Sequence, residues 1–104
     1  VTERPLHRLL RGGQEELIPA GKAVSTHLRN WRAVEPETAR REAIDIAEQC
    51  LERVHRLRGD MRRILLGVVA GILSNGGASV EDLGRTQEQF NALAQDSSEE
   101  EFSV

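Results

Sequence analysis

Aromatic side chains are nearly absent from this chain: Trp31, Phe90 and Phe102 are the whole supply, and there is no Tyr. A core must therefore be built from Leu, Val, Ile and Ala, which suits helix packing but is marginal for a single chain of 104 residues. Cysteine is limited to Cys50, which excludes an intrachain disulfide and fits a reducing compartment, so a cytoplasmic location is expected. β-Branched alternation is missing and Thr is scarce, so no strand is expected. The longest apolar run, Ile64 to Leu73, is about half of the roughly 20 residues that cross a bilayer, and no membrane insertion is expected. The first residues hold Arg4, Pro5, His7 and Arg8 in place of an apolar stretch, so no signal peptide is read there. G-x-S-x-G, P-loop, H-E-x-x-H and dinucleotide fingerprints are all missing. The expectation is a protein that is not an enzyme and holds no cofactor.

What the chain does have is a helical pattern running from about Pro36 to Leu73 with no further proline. Ile44, Ala47, Leu51, Val54, Met61, Leu65, Val68 and Ile72 recur in steps of three and four, interrupted only by Arg58. That alternation is the seam of a coiled coil or bundle. A straight helix of that span is about 55 Å long. A compact domain of this length has a diameter of roughly 33 Å. The mismatch predicts a helix that protrudes or is covered by a second chain.

Around it, residues 1–13 read as an N-terminal arm, with one amphipathic turn bearing Leu6, Leu9 and Leu10, closed by Gly12-Gly13. Val24, Leu28 and Trp31 mark a helix from about Pro19 to Ala33, and Pro36 opens the next, so the two form a helical hairpin. The half from Ala39 to Arg63 is charged outside a narrow stripe. The half from Ile64 to Leu73 is apolar all round and is expected to be buried on nearly every side. Ser74-Asn75-Gly76-Gly77 should stop the helix. Ser79 and Asp82 resemble a capping box that opens a final helix over about 79–95, with Gly84 as a weak point inside it. Residues 96–104 are acidic and apolar-poor, which reads as a disordered tail after a 14–95 bundle domain.

The charge is uneven. Residues 1–63 carry 13 Lys/Arg and 10 Asp/Glu, whereas residues 64–104 carry 1 and 7. A basic front and an acidic end admit a nucleic-acid face; a solvated, Arg-rich coiled-coil surface is the simpler reading. The nucleic-acid candidates are Arg53, Arg56, Arg62 and Arg63, with Arg29 and Arg32 brought near by the hairpin. Glu52 and His55 have the E-x-x-H spacing of di-iron bundles, but the preceding helix offers no carboxylate between Pro19 and Val34, so no metal is expected.

The favoured reading is an all-α protein: a hairpin with one long central helix (about 36–73) plus a C-terminal helix, assembling into an intersubunit bundle. It would act as an assembly, adaptor or regulatory protein through protein–protein contacts, as a homo-oligomer, most simply a dimer, that also engages a protein partner. The interface is placed at Leu51, Val54, Arg58, Met61, Leu65, Gly67, Val68, Gly71 and Ile72, with Arg58 setting register and Gly67/Gly71 allowing a close crossing. The alternative is a dimeric nucleic-acid-binding regulator.

Overall fold

A computed structural model describes residues 3–86, 88 and 90–92. The N-terminal arm's first two residues and the acidic tail over 96–104 lie outside the described residues, as does the end of the expected C-terminal helix over 93–95. The described chain is all-helical. Helices α1 (Glu3–Arg11), α2 (Gln14–Val34), α3 (Pro36–Val54) and α4 (Gly59–Gly76) pack against one another, followed by a 3₁₀ segment Val80–Thr86. No helix is long and apolar enough to cross a membrane.

The long central helix is not continuous. It ends at Val54, turns through His55 to Arg58, and restarts at Gly59. Arg58 is extended and exposed, and Gly59 has φ +62, a left-handed value that glycine adopts without steric cost. The reason is burial. An unbroken rod would leave Ile64–Leu73 without cover in one chain. Reversal at Arg58–Gly59 folds α4 back against α3 and lays it on α2. Leu65, Val69 and Ile72 are then fully buried with Leu51 and Val54 from α3 and Leu17, Val24 and Leu28 from α2. The radius of gyration is 13.2 Å, close to the roughly 13 Å of a compact domain of this size.

Two glycines set how closely the helices approach. An ideal Cβ on Gly21 of α2 would sit 2.8 Å from Cγ1 of Val68 on α4, and one on Gly76 would sit 2.3 Å from Cβ of Ala43 on α3. The Gly21–Val68 pair and the Arg29–Asn75 hydrogen bonds, at 3.0 and 3.1 Å, show that α2 and α4 run parallel, with α3 antiparallel between them in sequence.

The remaining elements obey local rules with two corrections. α2 and α3 form the expected hairpin, joined by Glu35 alone, and Pro36 is the first residue of α3. Pro19, expected to start α2, lies inside it; the helix begins five residues earlier because Leu17 is fully buried in the core. Glu15 and Glu16 in its first turn suit the helix dipole. α4 closes on Gly77, with φ +81. The Ala78 N–H donates to the Leu73 carbonyl at 2.8 Å and the Gly77 N–H to the Ser74 carbonyl at 3.1 Å, a Schellman pair. Past Ser79, the Asp82 carboxylate accepts the Ser79 N–H at 2.9 Å, which is the carboxylate half of a capping box. The helix expected from residue 79 is not uniform: Val80–Thr86 is a 3₁₀ segment in which Gly84 takes φ 60 and ψ −116 and kinks the chain, and residues 88 and 90–92 are α-helical. Leu83 is buried, and Asp82 faces Arg40 of α3 at 3.4 Å.

A Gly76→Ala substitution should therefore force α3 and α4 apart and cost about 1–3 kcal/mol, the usual range for overpacking. Urea unfolding of the variant checks it; an unchanged midpoint would show that the α3–α4 approach is not tight.

Candidate functional site

The expected interface residues divide into three groups. Leu51, Val54, Leu65 and Ile72 are at most 1% exposed, all within one chain's core. They are not available as a surface seam, because the reversal at Gly59 has already paired them. Met61 and Val68 are half-buried at the edge of that core. Arg58 stands in the α3–α4 connection and interrupts no seam. Gly67 is exposed and Gly71 partly so, and an ideal Cβ at either meets nothing within 4 Å.

The run Ile64–Leu73 thus has two faces. Its large side chains, Leu65, Leu66, Val69, Ile72 and Leu73, point inward. Its outer face, with Gly67 and Ala70 exposed and Gly71 beside them, remains uncovered, contrary to the expected burial on nearly every side. Below this neutral strip Asp60 and Arg63 form an ion pair, and above it Arg32 reaches the Ser74 carbonyl at 3.4 Å. The parallel register of α2 and α4 places Ile18, half exposed, level with Ile64.

The four arginines expected to contact nucleic acid do not form one surface. Arg53 is consumed internally: its guanidinium donates to the Leu9 carbonyl at 2.7 Å and the Gly12 carbonyl at 2.6 Å. Those acceptors are at the C-terminal end of α1, where the carbonyls have no intrahelical partner. Arg53 therefore closes α1 and fastens it to α3, supported by the fully buried Leu9. Arg62 is only 6% exposed, and its Nε has no hydrogen-bond partner. It lies on the inward stripe of α4, one turn before Leu65 and Leu66. Arg63 pairs with Asp60. Arg56 is exposed, on the rim of a cleft of about 390 Å³ between α1 and the end of α3, lined by Leu10, Arg11, Gln49, Glu52, Arg53, Arg56 and Leu57.

Arg29 and Arg32 tie α2 to the end of α4. His27 is partly buried, as its place beside the Val24–Leu28 face implies, with Nε2 3.5 Å from Glu42 and its ring edge-on to Trp31 at 6.2 Å. Cys50 is fully buried, and burial pushes its thiol up to about 12, away from thiolate chemistry. Among the described residues no group of three or more His, Cys, Asp or Glu side chains could hold a metal ion. Glu52 and His55 both lie on the surface.

Sequence reading missed the α1–α3 clamp and the cleft beside it. Arg53 gave no local signal, since its acceptors are more than 40 residues away. The break at Gly59 did leave a signal: a glycine followed at once by Asp60, an acidic residue suited to a new helix's first turn.

Two substitutions test these assignments. Arg53→Met should cost about 2 kcal/mol, since two charge-assisted hydrogen bonds are lost, and amide exchange should quicken first in α1; uniform exchange across the helices would contradict the clamp. Arg62→Met should instead raise stability, by about 1 kcal/mol, because an apolar chain of similar length removes an unpaired buried polar atom; a lower melting temperature would show that the guanidinium is satisfied in solution.

No protein-family model matches this chain, and neither does any curated protein or solved structure.

Proposed function

We propose that this is a non-enzymatic assembly protein, of adaptor or regulatory type, that acts by pressing the outer face of α4 against the same face of a second copy. The supporting observation is the contrast between its helical glycines. Gly21 and Gly76 have a reason inside the chain, since a Cβ on either would collide with a neighbouring helix. Gly67 and Gly71 have none. A glycine in a helix interior costs about 0.8–1 kcal/mol relative to Ala, so the isolated chain bears a penalty at both positions with no packing gain.

A helix crossing closely over α4 would supply that gain. Glycines four residues apart lie on one face, about 6 Å apart along the axis, and let two backbones approach. The neutral strip of Gly67, Ala70 and Gly71 provides apolar area to bury, and burial of such area drives association. The charged groups at the two ends, Asp60 with Arg63 and Arg32, would restrict orientation. This assigns assembly to the outer face of α4, separate from the core residues that a seam in a continuous helix would have used. A core substitution such as Leu65→Asp would unfold the chain and so says nothing about assembly.

The deciding experiment is absolute mass by light scattering across a concentration series, on the wild-type chain and on Gly67→Gln and Gly71→Gln. The expected result is a wild-type dimer and variants that stay monomeric. Gly67→Ala should meanwhile stabilise the isolated chain by about 0.5–1 kcal/mol. A wild-type monomer at every concentration, or a dimer indifferent to both glutamines, would overturn the proposal.

A further inference from the structure

Helix α1 is fastened to the bundle at few points. Leu9 is fully buried in the core, with Leu6 and Leu10 packed against it. Arg53 of α3 holds the Leu9 and Gly12 carbonyls at the end of the helix. Gly12 and Gly13 alone join α1 to α2.

The break at this joint is small. The Gly12 N–H still donates to the Arg8 carbonyl at 2.7 Å, a helical bond, whereas the Glu16 N–H turns to the Gly13 carbonyl at 3.0 Å. At Gly13 φ is −80, already within the helical range, and ψ, at 175, departs from it. Straightening the joint would give one helix over residues 3–34. In that helix the Leu9 carbonyl accepts from the Gly13 N–H, and the Gly12 carbonyl from the Glu16 N–H. Those are the two carbonyls that Arg53 occupies. The latch and the straight helix therefore compete for the same acceptors. Gly12 also belongs to the bent form: an ideal Cβ there would sit 2.5 Å from the Arg8 carbonyl oxygen. A straight helix has no need of glycine at either position and favours alanine.

A straightened α1 leaves its seat on α2 and α3 empty and carries Leu9 into water. The empty seat fits another α1, since it is shaped by this one. Two copies related by a two-fold axis, both with straight joints, place each α1 antiparallel to the partner's α2. That is the direction the bent joint gives within one chain. The exchanged pair buries the same side chains as two closed chains, so the states differ mainly at the joint.

We propose that α1 is an exchangeable segment: its seat on α2 and α3 takes α1 of a second copy, with the Gly12–Gly13 joint straightened and Arg53 acting as the latch against exchange. A linked α1 has an effective concentration in the millimolar range. Closed chains therefore prevail at micromolar protein, and exchanged pairs grow as the concentration rises. The exchange does not involve the α4 face, so the two modes of association succeed or fail separately.

The test uses the full chain carrying Leu10→Cys and Gln49→Cys, on the α1 and α3 walls of one cleft. Under mild oxidation of dilute protein, the natural joint should give a disulfide within one chain. Peptide mapping separates it from Cys50, which is fully buried. Gly12→Ala with Gly13→Ala favours the straight helix about 25-fold per chain, hence about 600-fold for a pair, so the same cysteines should now link two chains. Gly13→Pro fits the observed φ and blocks the straight helix. It should keep the disulfides within one chain even at about 1 mM, where the natural joint gives both kinds. Arg53→Met should raise the two-chain fraction several-fold. Denaturing electrophoresis reads the result, and a pair held only through α4 runs as single chains. Helical circular dichroism verifies folding; if the alanine variant fails it, the natural joint against Gly13→Pro still decides. Single-chain bands from the folded alanine variant at every concentration would overturn the proposal. So would two-chain bands indifferent to Gly13→Pro, or no disulfide at all with the natural joint.

Discussion

Everything in this fold follows from one burial problem. The stretch from Ile64 to Leu73 is apolar on all sides, and water will not solvate its large side chains without penalty. One chain can cover it only by turning back on itself. Gly59, at φ +62, supplies the turn, and the extended Arg58 before it directs α4 alongside α3. Once α4 lies there, α2 closes the third side. Leu9, Leu17, Val24 and Leu28 then meet Leu51, Val54, Leu65 and Ile72 in one continuous core.

That solution leaves a remainder on α4. Large residues were drawn inward, so the outer face holds the small ones, Gly67 and Ala70, with Gly71 at the margin. Helix propensity alone disfavours glycine there. The same helix uses Gly76 for a close intrachain approach to Ala43, where the absence of a side chain is plainly required. Two glycines with a reason and two without form the physical basis for reading the outer face as an assembly surface.

Charge is partitioned by the same packing. The arginines look alike in sequence, yet they end in different environments. Arg53 satisfies the end of α1, Arg62 sinks beside the core, Arg63 pairs with Asp60, and Arg29 and Arg32 tie α2 to the end of α4. At the α1–α3 cleft Arg11 and Arg56 are exposed beside the fixed Arg53, and neither makes an ion pair among the described residues. A basic protein surface is therefore less extensive than a count of arginines suggests.

The elements governed by neighbours in sequence were legible from sequence. Periodicity gave an all-α chain. Pro36 marked the start of α3, the run Ser74–Gly77 the end of α4, and Asp82 the turn after Ser79, because caps and turns are settled within a few residues. The seam residues Leu51, Val54, Leu65 and Ile72 were correctly read as apolar contact positions. Whether they face a second chain or the same one depends on a single backbone angle at Gly59, and a 3-4 repeat looks the same in both cases. Pro19 was misread for a related reason: the burial of Leu17 outweighed a local preference. The clamp of Arg53 on α1 joins groups more than 40 residues apart, and no pattern along the chain encodes it. Sequence by itself determined which segments become helices and which of their faces are apolar, because those follow from local sterics and side-chain chemistry. Only the tertiary structure decided which faces meet, which arginines are engaged and which glycines stay uncovered, because those depend on how the helices are brought together in space.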